Sequence, residues 1–218
     1  MKKNKFFKRI SAWFDMIILD HGFLRLLYHN FHKVDKNIYR SNMPTPSRIK
    51  KYKKLGIKTI INLRGGKRDG GWFLENEACQ KNKIKLVNLV ARSRSAPEKE
   101  MIFKTNELFQ KIKFPALIHC KSGADRAGIV SALYKILYCK QHPSIAKKEL
   151  SIKFLHIKWA KTGILDKFIF EYEKHCNKYK RSNFLSWVKN NYDPKKLEKE
   201  FKENKLIDKL LFRVLGRE

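Results

Sequence analysis

Cys120 and Arg126 are separated by five residues in the stretch ALIHCKSGADRAGIV, residues 116–130. A thiol of ordinary acidity is mostly protonated at neutral pH, so a nucleophilic cysteine needs surroundings that favour its anion. The stretch supplies them: an apolar strand ends at Cys120, a short loop follows, and a helix begins near Arg126. The backbone N–H groups of such a loop and the positive end of the helix favour an anion. The same donors suit the three non-bridging oxygens of a phosphoryl group. Gly123 permits backbone conformations that a side chain forbids, and Gly128 lets the helix pack closely. Arg126, early in the helix, can return to the loop and bind two oxygens bidentately. The chemistry is phosphomonoester cleavage, in which Cys120 takes the phosphoryl group and water then hydrolyses the phosphocysteine. The loop itself offsets the charge, so the reaction calls for neither metal nor cofactor.

The elements that must position this loop are read from periodicity and turn residues. Residues 1–30 read as one or two helices, with Phe6, Ile10, Trp13, Phe14 and Ile17 at helical spacing. NIYRS (37–41) reads as a strand, MPTPS as a turn, and SRIKKYKKLG as a helix with Ser47 as N-cap and Gly56 at its end. IKTIINL (57–63) is a buried-type strand. RGGKRDGG (64–71) is a glycine-rich loop without the spacing of a nucleotide fingerprint. A helix over 73–83, a strand over 84–90 and a helix ending near Ile112 follow. FPALIHC then forms the strand that ends at Cys120. Beyond the loop, helices fit RAGIVSALYKILYC, 143–155, 163–178 and 183–190. A last helix is capped by Asp193 with Pro194 at its first position, and its apolar face runs from Leu197 through Val214. Alternating strands and helices predict an α/β sandwich with a mostly parallel central sheet.

The signature His-Cys-x2-Gly-x2-Arg resembles that of the protein tyrosine phosphatase superfamily, and residues 38–66 resemble the opening segment of bacterial and fungal atypical dual-specificity phosphatases. The resemblance spans residues 38–130. It implies a dual-specificity-phosphatase-like sandwich, Cys120 as nucleophile, Arg126 as phosphate clamp and His119 as the residue that tunes the thiol. With His119, the loop residues Lys121, Ser122, Gly123, Ala124 and Ala127 form the substrate-binding set. Two positions depart from the family pattern. After the arginine the family usually has Ser or Thr, whose hydroxyl helps expel the thiolate; here it is Ala127, which predicts slow hydrolysis of the phosphoenzyme. The family also takes its general acid, an Asp, from a loop after the third strand, and ARSRSAPEKE (91–100) contains none. The candidates are Asp125 inside the phosphate loop, Glu98 or Glu100 on the following loop, and Asp69 in the glycine-rich loop. Asp125 is favoured because its position is fixed relative to the phosphate.

The chain of 218 residues carries a net charge of +30, most of it lysine, with enough apolar residues for a real core. Such a field attracts phosphorylated substrates, nucleic acid or anionic lipid; lysine scattered over every solvated face is the plainer reading. Lys121, Arg92 and Arg94 suit a rim that meets a second phosphate. The four cysteines and the remaining histidines show no metal-ligand spacing, and a free Cys120 fits a reducing compartment. At the N-terminus Asp15 interrupts the apolar run and no small-x-small site follows, so residues 1–18 read as a basic amphipathic helix rather than a cleaved signal. That helix either packs on the domain or lies on an anionic membrane. The expected organisation is a helical extension over 1–35, a phosphatase domain over 36–180 and a helical extension over 181–218. The expected setting is the cytoplasm or the inner membrane surface. The expected substrate is a phosphorylated protein, or a phosphorylated lipid or inositol. An RNA 5′-phosphatase and a non-catalytic phosphate-binding protein are the alternatives, and nothing in the chain resembles an RNA-binding module.

Overall fold

The computed structural model describes residues 2–20, 22–66, 69–179 and 182–202. Two compact units divide the chain. The first holds the residues up to Leu89 together with Lys113–Ser122, and the second holds Val90–Ile112 and the residues from Gly123 onward.

The first unit contains the whole sheet. Its strands are β1 (His32–Lys33), β2 (Ile38–Ser41), β3 (Thr59–Asn62), β4 (Lys85–Asn88) and β5 (Ala116–His119), in the order β1-β2-β5-β3-β4. All pairings are parallel except that of β1, a two-residue antiparallel edge too short to show in the sequence pattern. Central strands β3 and β5 are buried at every position, which explains the apolar pairs at their centres, Ile60–Ile61 and Leu117–Ile118. The register sets His119 level with Ser41 on one side and Asn62 on the other. The chain therefore leaves the carboxyl end of the central strand as Cys120, where open α/β sheets place their ligands.

Helices α3 (Pro46–Lys54) and α4 (Gly70–Lys81) cover this sheet. Ile49 and Tyr52 of α3 and Ala78 and Cys79 of α4 pack with Ile57, Ile60, Ile84 and Leu117. Thr45, not Ser47, caps α3: its hydroxyl accepts from the Arg48 N–H at 3.4 Å, and Pro46 takes the first helical position. Proline there needs no intrahelical partner, so the helix starts one residue before Ser47. Gly56, at φ +80°, turns the chain toward β3. Asp69 caps α4, accepting from the Trp72 N–H at 2.7 Å.

The N-terminal segment forms α1 (Lys2–Phe14), a π-helical turn (Asp15–Leu19) and α2 (Gly22–Leu27). Ala12 and Met16 are buried against Leu74 of α4, with Trp13, Ile17 and Phe73 around them. Arg9 pairs with Glu77 at 3.4 Å, and the Asp15 carboxylate accepts from the Gly70 N–H at 2.5 Å. One face of this amphipathic segment is thus packed on the sheet unit.

The second unit is helical: α5 (Lys99–Lys111), α6 (Asp125–Leu137), α7 (Pro143–Ala146), α8 (Ile164–Lys178), α9 (Phe184–Asn190) and α10 (Pro194–Glu200). Phe109 of α5 meets Tyr134 of α6 edge to face at 5.1 Å. Phe168 and Tyr172 of α8 pack with Phe184, Trp187 and Tyr192. The helix expected over 143–155 is instead α7 followed by two 3-10 turns. Ser151 is extended and Leu155 is left-handed, while Glu149 turns in to meet Lys135 at 2.6 Å. Asp193 and Pro194 start α10 as expected, with Asp193 accepting from the N–H groups of Lys195 and Lys196. The part of its expected apolar face beyond Lys202 lies outside the described residues.

Ile60 tests the central sheet because its side chain is wholly enclosed. Ile60→Ala should lower unfolding free energy by about 2–5 kcal/mol and Ile60→Val by about 0.5–1.5 kcal/mol, read from urea denaturation.

Candidate active site

The loop after β5 is held within the first unit by two hydrogen bonds. The Lys121 carbonyl accepts from the Met43 N–H at 3.3 Å, and the Ser122 carbonyl accepts from Asn30 Nδ2 at 3.0 Å. These bonds hold two successive peptide planes after Cys120, whose side chain is almost fully buried. Gly123 has φ +75°, a conformation that glycine adopts without strain. Ala124 then stands at the N-cap of α6 and has no side-chain acceptor to cap it. A helix start of this kind is suited to completion by a bound anion. Arg126 is the second residue of α6 and half-buried; Ala127, the third, is fully buried.

Behind the nucleophile lies a polar group that the sequence reading missed. Glu75 of α4 reaches His119: Oε1 and Nε2 approach to 2.5 Å, with angles outside hydrogen-bond geometry. Its other oxygen, Oε2, accepts from Asn62 Nδ2 at 2.7 Å. All three side chains are enclosed. The signal in the sequence was a carboxylate on the face of α4 that also carries Leu74, Ala78 and Cys79. A buried carboxylate there needs a partner.

Asp20, also unforeseen, gathers the basic residues beside the loop. Its carboxylate takes two bonds from Arg64, at 2.8 and 3.1 Å, one from Arg25 at 2.9 Å, and a contact of 3.3 Å from Lys121. Burial alone would raise the Asp20 carboxyl, but Arg64, Arg25 and Lys121 outweigh it and hold it below the usual carboxylate range. Lys121 is thereby tied to the N-terminal segment. The other expected rim residues belong to the second unit. Arg92 is exposed, 4.0 Å from Glu98, and Arg94 lines a cleft of about 700 Å³ with Lys161 and Lys202.

Each carboxyl considered as a proton donor has a partner. Asp69 caps α4 and lies 3.4 Å from Arg64. Glu98 is exposed at the start of α5 beside Arg92. Lys104 bonds Glu100 at 2.6 Å and holds that carboxyl below its ordinary range. Asp125, in the first turn of α6, is 2.8 Å from His156 Nδ1, and His156 Nε2 is 2.6 Å from Asp166 of α8. Burial works against a charge on His156, but the bonds and charges of the two aspartates prevail and push it up to about 9. Near neutral pH His156 is therefore an imidazolium donating to both carboxylates. The link of His156 to Asp125 spans 31 residues and leaves no local signature in the sequence.

A family model described as DSP-PTPase phosphatase fused to NAD+ kinase matches residues 29–161. The dual specificity protein phosphatase TpbA of Pseudomonas aeruginosa is 23% identical over 109 residues, which are 50% of this chain and 47% of that protein. The chain spans about half the length of the curated relatives it matches. The crystal structure of TpbA superposes with a TM-score of 0.54 at 18% identity, covering 66% of this chain and 84% of that one. The core catalytic domain of the PP-IP phosphatase SIW14 from S. cerevisiae, in complex with citrate, gives a TM-score of 0.53 at 19% identity, covering 69% and 93%. At these identities the structures establish a shared fold, that of the dual-specificity phosphatases.

Two outcomes test the buried polar groups. Glu75→Ala strands His119 and Asn62 and should cost about 3–5 kcal/mol in urea denaturation, whereas Glu75→Gln, which keeps an acceptor for Asn62, should cost clearly less. His156, raised from 6.5 to about 9 in the folded chain, contributes stability that is complete below pH 6.5 and is lost as pH rises through 9. His156→Gln should flatten that decline in denaturation curves taken across this range.

Proposed function

The chain belongs to the family described as DSP-PTPase phosphatase fused to NAD+ kinase, and from that premise we propose that it hydrolyses phosphate monoesters through a phosphocysteine on Cys120. The observation that carries the reading is the loop itself: a buried cysteine at the end of β5, Gly123 at φ +75°, and an arginine in the first turn of α6. Cys120 Sγ attacks phosphorus as the bond to the leaving oxygen breaks. Arg126 binds two equatorial oxygens, and the loop N–H groups take the developing charge. The leaving alkoxide receives a proton from the Asp125–His156 pair, with Asp125 as the group beside the phosphate, His156 as the store of the proton and Asp166 fixing the imidazole. Water then attacks the phosphocysteine, and the same pair accepts its proton. Ala127 offers no hydroxyl to the departing thiolate, so this second step is the slow one.

The substrate in this reading is a phosphorylated protein or a phosphorylated lipid or inositol. Lys121, next to the nucleophile and clustered with Arg64 and Arg25 around one carboxylate, supports the more highly charged of these, the multiply phosphorylated inositols and lipids. The PP-IP phosphatase among the structural neighbours is in line with that choice.

The test is phosphate release from a phosphotyrosine peptide, an inositol polyphosphate, a phosphoinositide and 5′-phosphorylated RNA. Cys120→Ser should abolish turnover on every substrate while still binding phosphate analogues. Arg126→Lys should be nearly as inactive as Arg126→Ala, because an ammonium cannot reproduce the guanidinium fork. Asp125→Asn should slow alkyl phosphates by about 100-fold or more, the usual worth of a general acid, and aryl phosphates such as p-nitrophenyl phosphate far less. Undiminished release by Cys120→Ser would overturn the mechanism.

A further inference from the structure

Helix α1 carries a second apolar face that the fold leaves uncovered. Phe6, Phe7, Ile10 and Phe14 are each more than half exposed. At 100° per residue they fall within an arc of about 100°. Ala12, which is buried against Leu74, lies well away from that arc. The exposed run continues through Ile18 and Leu19 of the π-helical turn, also more than half exposed. Single exposed apolar residues are ordinary, but a contiguous run of six large ones marks a contact surface. Lysines are interleaved with it in the sequence, Lys2, Lys3 and Lys5, with no acidic residue before Asp15, while Lys8 and Arg9 reach Phe73 and Glu77 of α4.

Charge decides what covers this face. A second copy of the chain would bring another +30 toward the first, and like charges oppose that approach. An anionic bilayer meets both demands at once, taking the aromatic and aliphatic side chains below the headgroups and the lysines among them. Among the described residues no helix is long and apolar enough to cross a membrane, so the contact is one of lying in the surface. We propose that α1 and the turn after it form a membrane-docking face for anionic phospholipid, with Phe6, Phe7, Ile10 and Phe14 inserted. Leu19 ends that face one residue before Asp20, and Asp20 touches Lys121 beside the nucleophile. The inference stands on the helix alone and does not need the proposed reaction.

The test is cosedimentation of the full chain with vesicles of phosphatidylcholine alone and of phosphatidylcholine mixed with phosphatidylglycerol. The wild type should bind the mixed vesicles, lose most of that binding at about 1 M salt, where the screening length is near 3 Å, and ignore the neutral ones. The triple variant Phe7→Ser, Ile10→Ser, Phe14→Ser should bind at least about tenfold more weakly with an unchanged melting temperature, because all three side chains face solvent. Lys3→Glu with Lys5→Glu should weaken binding too, and serves if the triple variant fails to fold. Equal binding to neutral and anionic vesicles, no binding to either, or full binding by a folded triple variant would overturn the proposal. A vesicle-free dimer that the triple variant converts to a monomer would assign the face to a second copy, and would overturn it equally.

Discussion

The parallel pairing of β5 between β2 and β3 is the constraint on which the site depends. Every residue of Ala116–His119 is buried, so apolar character alone does not distinguish one register from its neighbour. A slip of one residue would keep the strand apolar and move Cys120 to the other face. His119 removes the degeneracy. In the observed register it lies between Ser41 and Asn62, its carbonyl accepts from the Leu63 N–H at 2.9 Å, and its ring meets Glu75. A polar side chain at the end of an apolar strand has few satisfactory positions. The reactive cysteine inherits its location from that choice.

The polar groups around the loop share a pattern. Acidic residues are scarce in this chain, 20 against 50 Lys and Arg, yet several of them are spent on buried or half-buried contacts. Glu75 serves His119, Asp20 serves Arg64, Arg25 and Lys121, Glu149 serves Lys135, and Asp125 with Asp166 serves His156. Each of these acids thus meets a base where burial would make a lone charge costly.

Local features were legible in the sequence and distant ones were not. The phosphate loop, the parallel strands, the caps at Asp193 and Pro194 and the turn at Gly56 announce themselves within a few residues. Ser47 was mistaken for the cap of α3 because Thr45 and Ser47 offer the same hydroxyl, and only the placement of Pro46 separates them. The segment 143–155 has helical composition, but Glu149 is pulled toward Lys135, a tertiary contact that no local pattern encodes. Glu75 and His156 were missed for the same reason: their partners are distant in the chain and close only in the fold. The helix at the N-terminus was expected either to pack on the domain or to lie on an anionic membrane. Its residues divide by face: Ala12 and Met16 pack, while Phe6, Phe7, Ile10 and Phe14 stay outside.

The π-helical turn at Asp15–Leu19 sets the rotational phase of everything before it. A turn of this kind holds one residue more than an α-helical turn, and each residue in a helix is worth about 100° of rotation. Removing a single residue from 16–19 would turn α1 about its axis and carry Ala12 away from Leu74, with no change in net charge. Which side of α1 faces inward is thus recorded in the length of one short segment, and an insertion or deletion there would alter the surface more than any single substitution within the helix.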